Sequence, residues 1–566
     1  MAAGDVLIRG GAVVDGTGAP ARRADVRIRA GRITEIAPDL AADGEDVLDA
    51  SGAIVAPGFI DIHTHFDPAL FWDPLCDPVP QHGVTTVLVG NCSLSLAPVR
   101  PGGREKLQEL LCYIEDLPEE VLERCIPWGW ESYGEYLDVV EQHGGYSLNV
   151  AGMVGHTMLR TYVMGEDAWE RPADDGEREA IAALLDRALA EGATALSSSL
   201  GFDEDRLGRP VPSRLADDAE LTALVDVLAR HDSFLQFIPA TSGRQMRIDV
   251  ERVAAITGPR GVTSTWINVF HNPDHPDWAT SMLDFAGELQ QQGVRTYPQV
   301  SPRTLDLHIN WDGGMSWYKL PEGWHKMVQA PRGEKPSMLR DPGWRDVARE
   351  EWDRVPRTMI PHQRTDRIRI VAVGRPDLQR WVGSSLADLV EERGGHPSDV
   401  LADWLLDNDL EAGIVGVGVA NVDAAGVAET IVHDASIIAN SDAGAHLQMM
   451  CAIGDTTLAL TRHVRDRGDL TIEGAVHEMT GRLASLFGFA DRGVLRAGAA
   501  GDVTVFALDD LDWGQDEVTA DLPGGAMRLR RPPGGYRYTI VAGTVVQADG
   551  RLTGARPGVV LRNGGR

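Results

Sequence analysis

Two histidines one residue apart, His63 and His65, close the apolar run APGFIDIHTHFD (residues 56–67). Side chains at i and i+2 of a strand project to the same face. Both imidazoles therefore reach one point, where a borderline metal such as zinc accepts nitrogen. The pair gains weight from its place at a strand end, just after a Pro-Gly turn. Cys92 follows a second apolar run, VTTVLVGNCSLSLAP (84–98). A free cysteine is usually a small buried hydrophobe, but the neighbouring Asn91 and Ser93 put this one at a strand mouth. A thiolate there is a good metal ligand, and the metal keeps it charged. Asp442 ends a third run, IIANSDAGAH (437–446). In isolation it reads as a turn or cap residue. At the end of a last strand, across from the histidines, a carboxylate could touch the metal, take a proton from water and deliver it to a leaving nitrogen.

These residues need a scaffold that gathers strand ends, and the middle of the chain supplies one. Apolar β-type runs recur at 58–65, 84–93, 146–156, 193–200, 233–240, 264–271, 294–301 and 436–444. Helical patterns intervene, as in EREAIAALLDRALAEG (177–192) and residues 217–231. Eight such runs with helices between them predict a closed (β/α)8 barrel of the TIM type, whose sites lie at the C-terminal strand ends. Both ends of the chain alternate short strands with Gly and Asp turns. They predict a small β-sandwich built from residues 1–57 and 491–566, flanking a barrel over 58–490. Residues 302–412 break the βα rhythm and are rich in tryptophan. We read them as a lid-like insertion over the barrel mouth, with Trp311, Trp317 and Trp324 placed to line an apolar pocket.

The motifs PGFIDIHTHFD, GNCSLSLAP, VGHTMLR (154–160), SDAGAH and DRGVLRAGAAGDVTVF (491–506) occur in this order along nearly the whole chain. Together they resemble the D-aminoacylase branch of the amidohydrolase superfamily, which contains the N-acyl-D-amino-acid deacylases. The resemblance implies a distorted (β/α)8 barrel with a β-sandwich from both termini, and it implies zinc. It makes His63, His65 and Cys92 metal-site residues, makes Asp442 the catalytic acid-base, and turns His156 toward the active site.

The chain departs from that pattern at two strands. The branch carries a THxR segment after the fifth strand and a SHxK segment after the sixth. Here FLQFIPATSGR puts Ile238 at the first histidine, and STWINVFHN puts Val269 at the second and His271 at the lysine. A two-residue shift would instead make His271 a ligand. With two ligands replaced, one metal per chain is expected, held by His63, His65, Cys92 and Asp442. Water must still enter, so Asp442 or Cys92 must bind weakly or the coordination must expand. The missing lysine weakens recognition of an acyl-amino-acid carboxylate. Arg160, Arg244 and Arg303 are cations near strand ends that could replace it, and His156 and His271 complete the candidate substrate-binding set.

The formal net charge of -31 argues against nucleic acid or an anionic membrane as partner. No run approaches the roughly 20 apolar residues of a membrane span. Five cysteines without a CxxC pair, and no signal-peptide pattern at the start, point to a reducing, cytoplasmic setting. The expected activity is metal-dependent hydrolysis of an amide-type C–N bond in a small molecule. Ring opening of a cyclic amide, imide or lactone uses the same machinery. A non-catalytic binding protein on a degraded barrel is the rival from another class, and retention of HxH, Cys92 and SDAGAH argues against it. A homo-oligomer is compatible with all three.

Overall fold

The computed structural model describes residues 4–241, 243–356, 358–439 and 441–565. Eight parallel strands form its centre: β1 (Phe59–Asp61), β2 (Val84–Val89), β3 (Asn149–Gly155), β4 (Ala195–Ser199), β5 (Phe234–Ile238), β6 (Thr263–Trp266), β7 (Thr296–Val300) and β8 (Ile437–Ile438). They are hydrogen-bonded in sequence order. Each coincides with one of the eight apolar runs, β6 starting one residue before its run. The first and last strands meet beyond β1 and β8, where Thr64 pairs with Ala443 in parallel. The His65 amide donates to the Ala443 carbonyl (2.7 Å), and the Asp442 amide donates to the His63 carbonyl (3.0 Å). The curled sheet is thus joined at its C-terminal rim, where β1 delivers its histidines and β8 its aspartate.

The helices that cover the strands start where capping chemistry places them. Asp174 accepts from the Glu177 amide and Glu177 reaches back in a capping box, so the helix runs Asp175–Glu191. Asp217 caps Asp218–Arg230 in the same way from its side chain.

The two termini share one nine-stranded sheet. Strands 6–13, 22–29, 32–37, 46–49 and 54–57 join 503–506, 538–541, 544–548 and 551–552, with 54–57 pairing 503–506 across the seam. Its core holds Val6, Ile8, Val26, Ile28, Val55, Val503, Val505 and Ile540. The last segment then leaves this sheet. The Leu561 amide donates to the Val150 carbonyl on β3 at 2.7 Å, so the chain's end rejoins the barrel.

Between β7 and β8 the excursion builds a three-stranded antiparallel sheet (Leu305–His308, Ile368–Ala372, Gly413–Ala420) with several helices. It therefore extends to residue 420. Trp311, Trp317 and Trp324 do not line the cavity at the barrel mouth. Trp317 and Trp324 are fully buried with ring centroids 5.4 Å apart, and Trp311, Trp344 and Trp352 pack around them. So many large rings bury most area by stacking on one another, and they form the core of the insertion itself. Its strands and loops, rather than these rings, reach the barrel mouth.

Candidate functional site

At the joined rim, one donor atom from each of His63, His65 and Cys92 lies within 4.8 Å of the other two, and all three residues are buried. Asp442 faces them from β8. Its Oδ1 is 3.2 Å from His65 Nε2 and 3.7 Å from His63 Nε2, and its Oδ2 is 3.6 Å from His446 Nε2. Cys92 Sγ is 3.3 Å from His63 Nε2.

The loops that carry these groups are held in unusual backbone conformations. Cys92, Ser93, Asp442 and His446 all have positive φ (56°, 70°, 65° and 53°). Each costs on the order of 1 kcal/mol or more for a non-glycine residue and persists only where neighbours fix it. Here the Cys92 amide donates to Gln236 Oε1 on β5 (3.1 Å), and the Ser93 amide donates to Ser197 Oγ on β4 (3.1 Å). The His446 amide donates to the Glu115 carbonyl. Gly444 lets the loop cross the histidine strand. A Cβ there, at φ 95°, would sit 2.8 Å from the His65 carbonyl carbon.

Gln299 and Glu115 orient the two histidines. Gln299 on β7 accepts from His63 Nδ1 at 2.8 Å, while its own amide nitrogen donates to Thr265 Oγ1 at 3.0 Å. With Nδ1 committed as donor, His63 presents the lone pair of Nε2 to the site. Glu115 does the corresponding work for His65, its Oε1 lying 3.4 Å from Nδ1. Two buried imidazole nitrogens and one sulfur are the donors a borderline divalent cation takes.

The electrostatics follow from burial in a crowd of carboxylates. Burial pulls the His63 imidazole down to about 4. It pushes the Cys92 thiol well up, as do the charges of Glu115 and Asp442. A divalent cation among these donors reverses that sign for the thiol. Burial also lifts the Glu115 carboxyl, with His65 opposing it, and lifts Asp203 to about 6. For His65, burial is outweighed by Glu115 and Asp442, which raise it. Asp442 is pushed up by burial, but His65, His446 and His63 around it win and hold it well below the ordinary carboxylate range.

The cluster opens into a cavity of about 130 Å³. Ile238 and Ile267 form its apolar wall and pack with Cys92 and Phe202. Ile238 thus stands where the sequence places it. After β6, however, Ile267 faces the site and Val269 lies in the main core. The backbone turns at Asn268 (φ 77°), which resets the facing. The insertion contributes Leu305, Leu307, Met315 and Met359 to the lining.

Of the candidate substrate-binding residues His156, Arg160, Arg244, His271 and Arg303, only Arg303 lines this cavity. His156 starts a helix (His156–Met164), and its ring turns away to Ser198 Oγ (3.0 Å) and Glu220 Oε1 (2.8 Å). Arg160 also pairs with Glu220, so one buried carboxylate on the helix Asp218–Arg230 engages both side chains. His271 is buried elsewhere, its ring against Gly426 and its amide bonded to Asn421 Oδ1 (2.8 Å). It does not join the metal-type cluster, so the two-residue shift does not occur. Glu115, Asp203, His446, Gln236 and Gln299 escaped the sequence reading. The two glutamines had a signal, a polar amide inside an apolar strand (FLQFI, TYPQV), which must find a partner when buried. Glu115 and Asp203 lie on irregular segments between strands and had none.

A model of the amidohydrolase family matches residues 46–547. The chain belongs to the amidohydrolase family. It is 30% identical to an uncharacterised protein of Mycobacterium tuberculosis over 97% of this chain and 93% of that one. It is 29% identical to the N-acyl-D-glutamate deacylase of Alcaligenes xylosoxydans xylosoxydans, over 99% and 96%. The solved N-acyl-D-glutamate deacylase of Bordetella bronchiseptica, complexed with zinc and a phosphonate inhibitor, superimposes with a TM-score of 0.68 at 28% identity, covering 99% of both chains. As a member of this family the protein is a metal-dependent hydrolase acting on non-peptide C–N bonds. No helix among the described residues is long and apolar enough to cross a membrane.

Proposed function

We propose that this amidohydrolase binds one zinc ion per chain through His63, His65 and Cys92 and uses Asp442 as its proton shuttle to cleave a small amide. The observation that carries this reading is the convergence of the three buried donors within 4.8 Å, with Asp442 3.2 Å from His65 and a cavity opening beside it. Zinc bound there supplies a Lewis acid for the carbonyl and acidifies a water molecule. Asp442, held ionised by its histidine neighbours, accepts the proton of the attacking water. It then carries that proton to the leaving nitrogen, which departs as a neutral amine. Glu115 and Gln299 keep His65 and His63 turned toward the centre throughout. The Ile238–Ile267 wall supplies no donors for a second ion, so a single equivalent is expected. A cavity of about 130 Å³ suits a small substrate. N-acyl-D-amino-acid deacylation is an activity named for several relatives.

Elemental analysis of gently purified protein, paired with an amide panel, tests the proposal. About one zinc per chain is expected, with zinc and turnover both lost in Cys92→Ala. Two tightly held ions, or full zinc binding in Cys92→Ala, would refute the assigned ligand set.

A further inference from the structure

Besides Cys92, the cavity beside the proposed metal centre is lined by Glu115, Asp203, Arg303, Asp442 and His446, and their charges are matched unevenly. Glu115 faces His65 Nδ1 at 3.4 Å, and Asp442 lies among His63, His65 and His446. Arg303 is spoken for. Its Nε lies 3.2 Å from Asp455 Oδ1, and its Nη2 donates to the Ser441 carbonyl at 2.7 Å. Its Nη1 reaches toward the Cys451 carbonyl at 3.4 Å. The charge of this guanidinium is therefore already matched by a buried carboxylate, and a substrate carboxylate would have to compete with Asp455 for it.

Asp203 is different. It is 4% exposed, it lines the cavity, and its buried Oδ2 has no hydrogen-bond partner. Among the described residues its carboxylate makes no ion pair. The nearby cation Arg214 donates to the Asp203 main-chain carbonyl (3.0 Å) and pairs with Glu204 (3.2 Å) instead. A buried carboxylate oxygen left without a donor costs free energy that a ligand can recover. The Ser199 hydroxyl beside it can supply one hydrogen bond, and the apolar walls, Phe202, Ile238, Ile267 and Met359, add none. The chain's net charge of -31 adds a long-range bias of the same sign.

Building on the proposed amide hydrolysis, we propose that Asp203 is a specificity residue that accepts a hydrogen bond from a substrate ammonium group. The preferred substrates are then small amides carrying a basic group, opposite in charge to the acyl-glutamates and acyl-aspartates named for the relatives.

The test compares zinc-loaded wild type with Asp203→Asn and Asp203→Glu on three matched acetamides, those of diaminobutane, butylamine and aminobutanoate. Calorimetry with butylammonium and with butyramide runs alongside, and zinc content and melting temperature check each variant. The wild type is expected to favour the diaminobutane amide over the butylamine amide by about tenfold or more in kcat/KM, mainly through KM. That preference is expected to collapse in Asp203→Asn and to persist in Asp203→Glu. Butylammonium should lose about tenfold in affinity in Asp203→Asn relative to butyramide. A preference unchanged in Asp203→Asn, or a wild type that favours the aminobutanoate amide, overturns the inference. If none of the amides turns over, the hydrolase reading falls by itself and calorimetry decides the role of Asp203. If the Asn variant does not fold, Asp203→Ser takes its place under the same criteria.

Discussion

The hydrogen bond between Gln299 and His63 offers a quantitative probe of how the barrel prepares a metal site. Gln299→Met keeps the length and most of the volume of the side chain and removes the acceptor. His63 is fully buried, so its Nδ1–H would be left without a partner 2.8 Å from where the amide oxygen stood. An unsatisfied buried donor costs about 1–3 kcal/mol. The ring can escape that cost by moving its proton to Nε2, which removes the lone pair that faces Cys92 and Asp442. Either route weakens metal binding by about 10–100-fold, the range seen when such outer partners are removed from histidine ligands. Zinc affinity measured by chelator competition is expected to fall by that factor, with turnover restored by excess zinc. Gln299→Glu retains an acceptor and is expected to bind zinc at least as well as the wild type. Unchanged zinc affinity in Gln299→Met would show that the bond is incidental. A loss of turnover that excess zinc does not restore would place Gln299 in the chemistry rather than behind the ligand.

Asp442→Asn keeps the shape of the group and removes its basicity. Turnover is expected to fall by about 10²–10⁴-fold with zinc content retained, and a rate near wild type would reduce Asp442 to a turn residue. Replacing the apolar wall by donors, in Ile238→His with Ile267→His, is expected to raise metal content from one toward two per chain, read by elemental analysis; the same substitutions at Ile238 and Val269 should not. His82 gives a pH dependence of stability. It is buried neutral, bonded to Thr457 Oγ1 (2.7 Å) and the Pro532 carbonyl (3.1 Å), and burial together with Arg531 lowers it from 6.5 to about 3. Its unfolded form takes up a proton first. The stabilisation is therefore complete above pH 6.5 and is lost progressively as pH falls toward 3. Melting temperatures across that window should fall less steeply in His82→Asn, and parallel curves would refute the assignment.

What the sequence discloses about this site follows from how each group is held. His63, His65, Cys92 and Asp442 stand at the ends of apolar runs, and the position of a strand end in a parallel barrel is set by hydrophobic pattern alone. The facing of a side chain beyond the strand is set by local backbone, and that is where pattern stops. Val269 and Ile267 exchange roles because the chain turns through positive φ at Asn268, which no alternation rule anticipates. His156 and Arg160 look like site residues by motif. Glu220, two segments downstream, claims both, and only packing of the two helices reveals it. The tryptophans were legible as a cluster but not in direction, because stacking inside the insertion and lining a pocket use the same residues. Glu115 and Asp203 come from irregular segments with no period to read, yet they decide the charge of the cavity. The metal-type cluster is thus written in the strands, whereas the features that would select a substrate are written in the segments between them. In those segments this chain is free to diverge from the deacylases with which it shares the barrel.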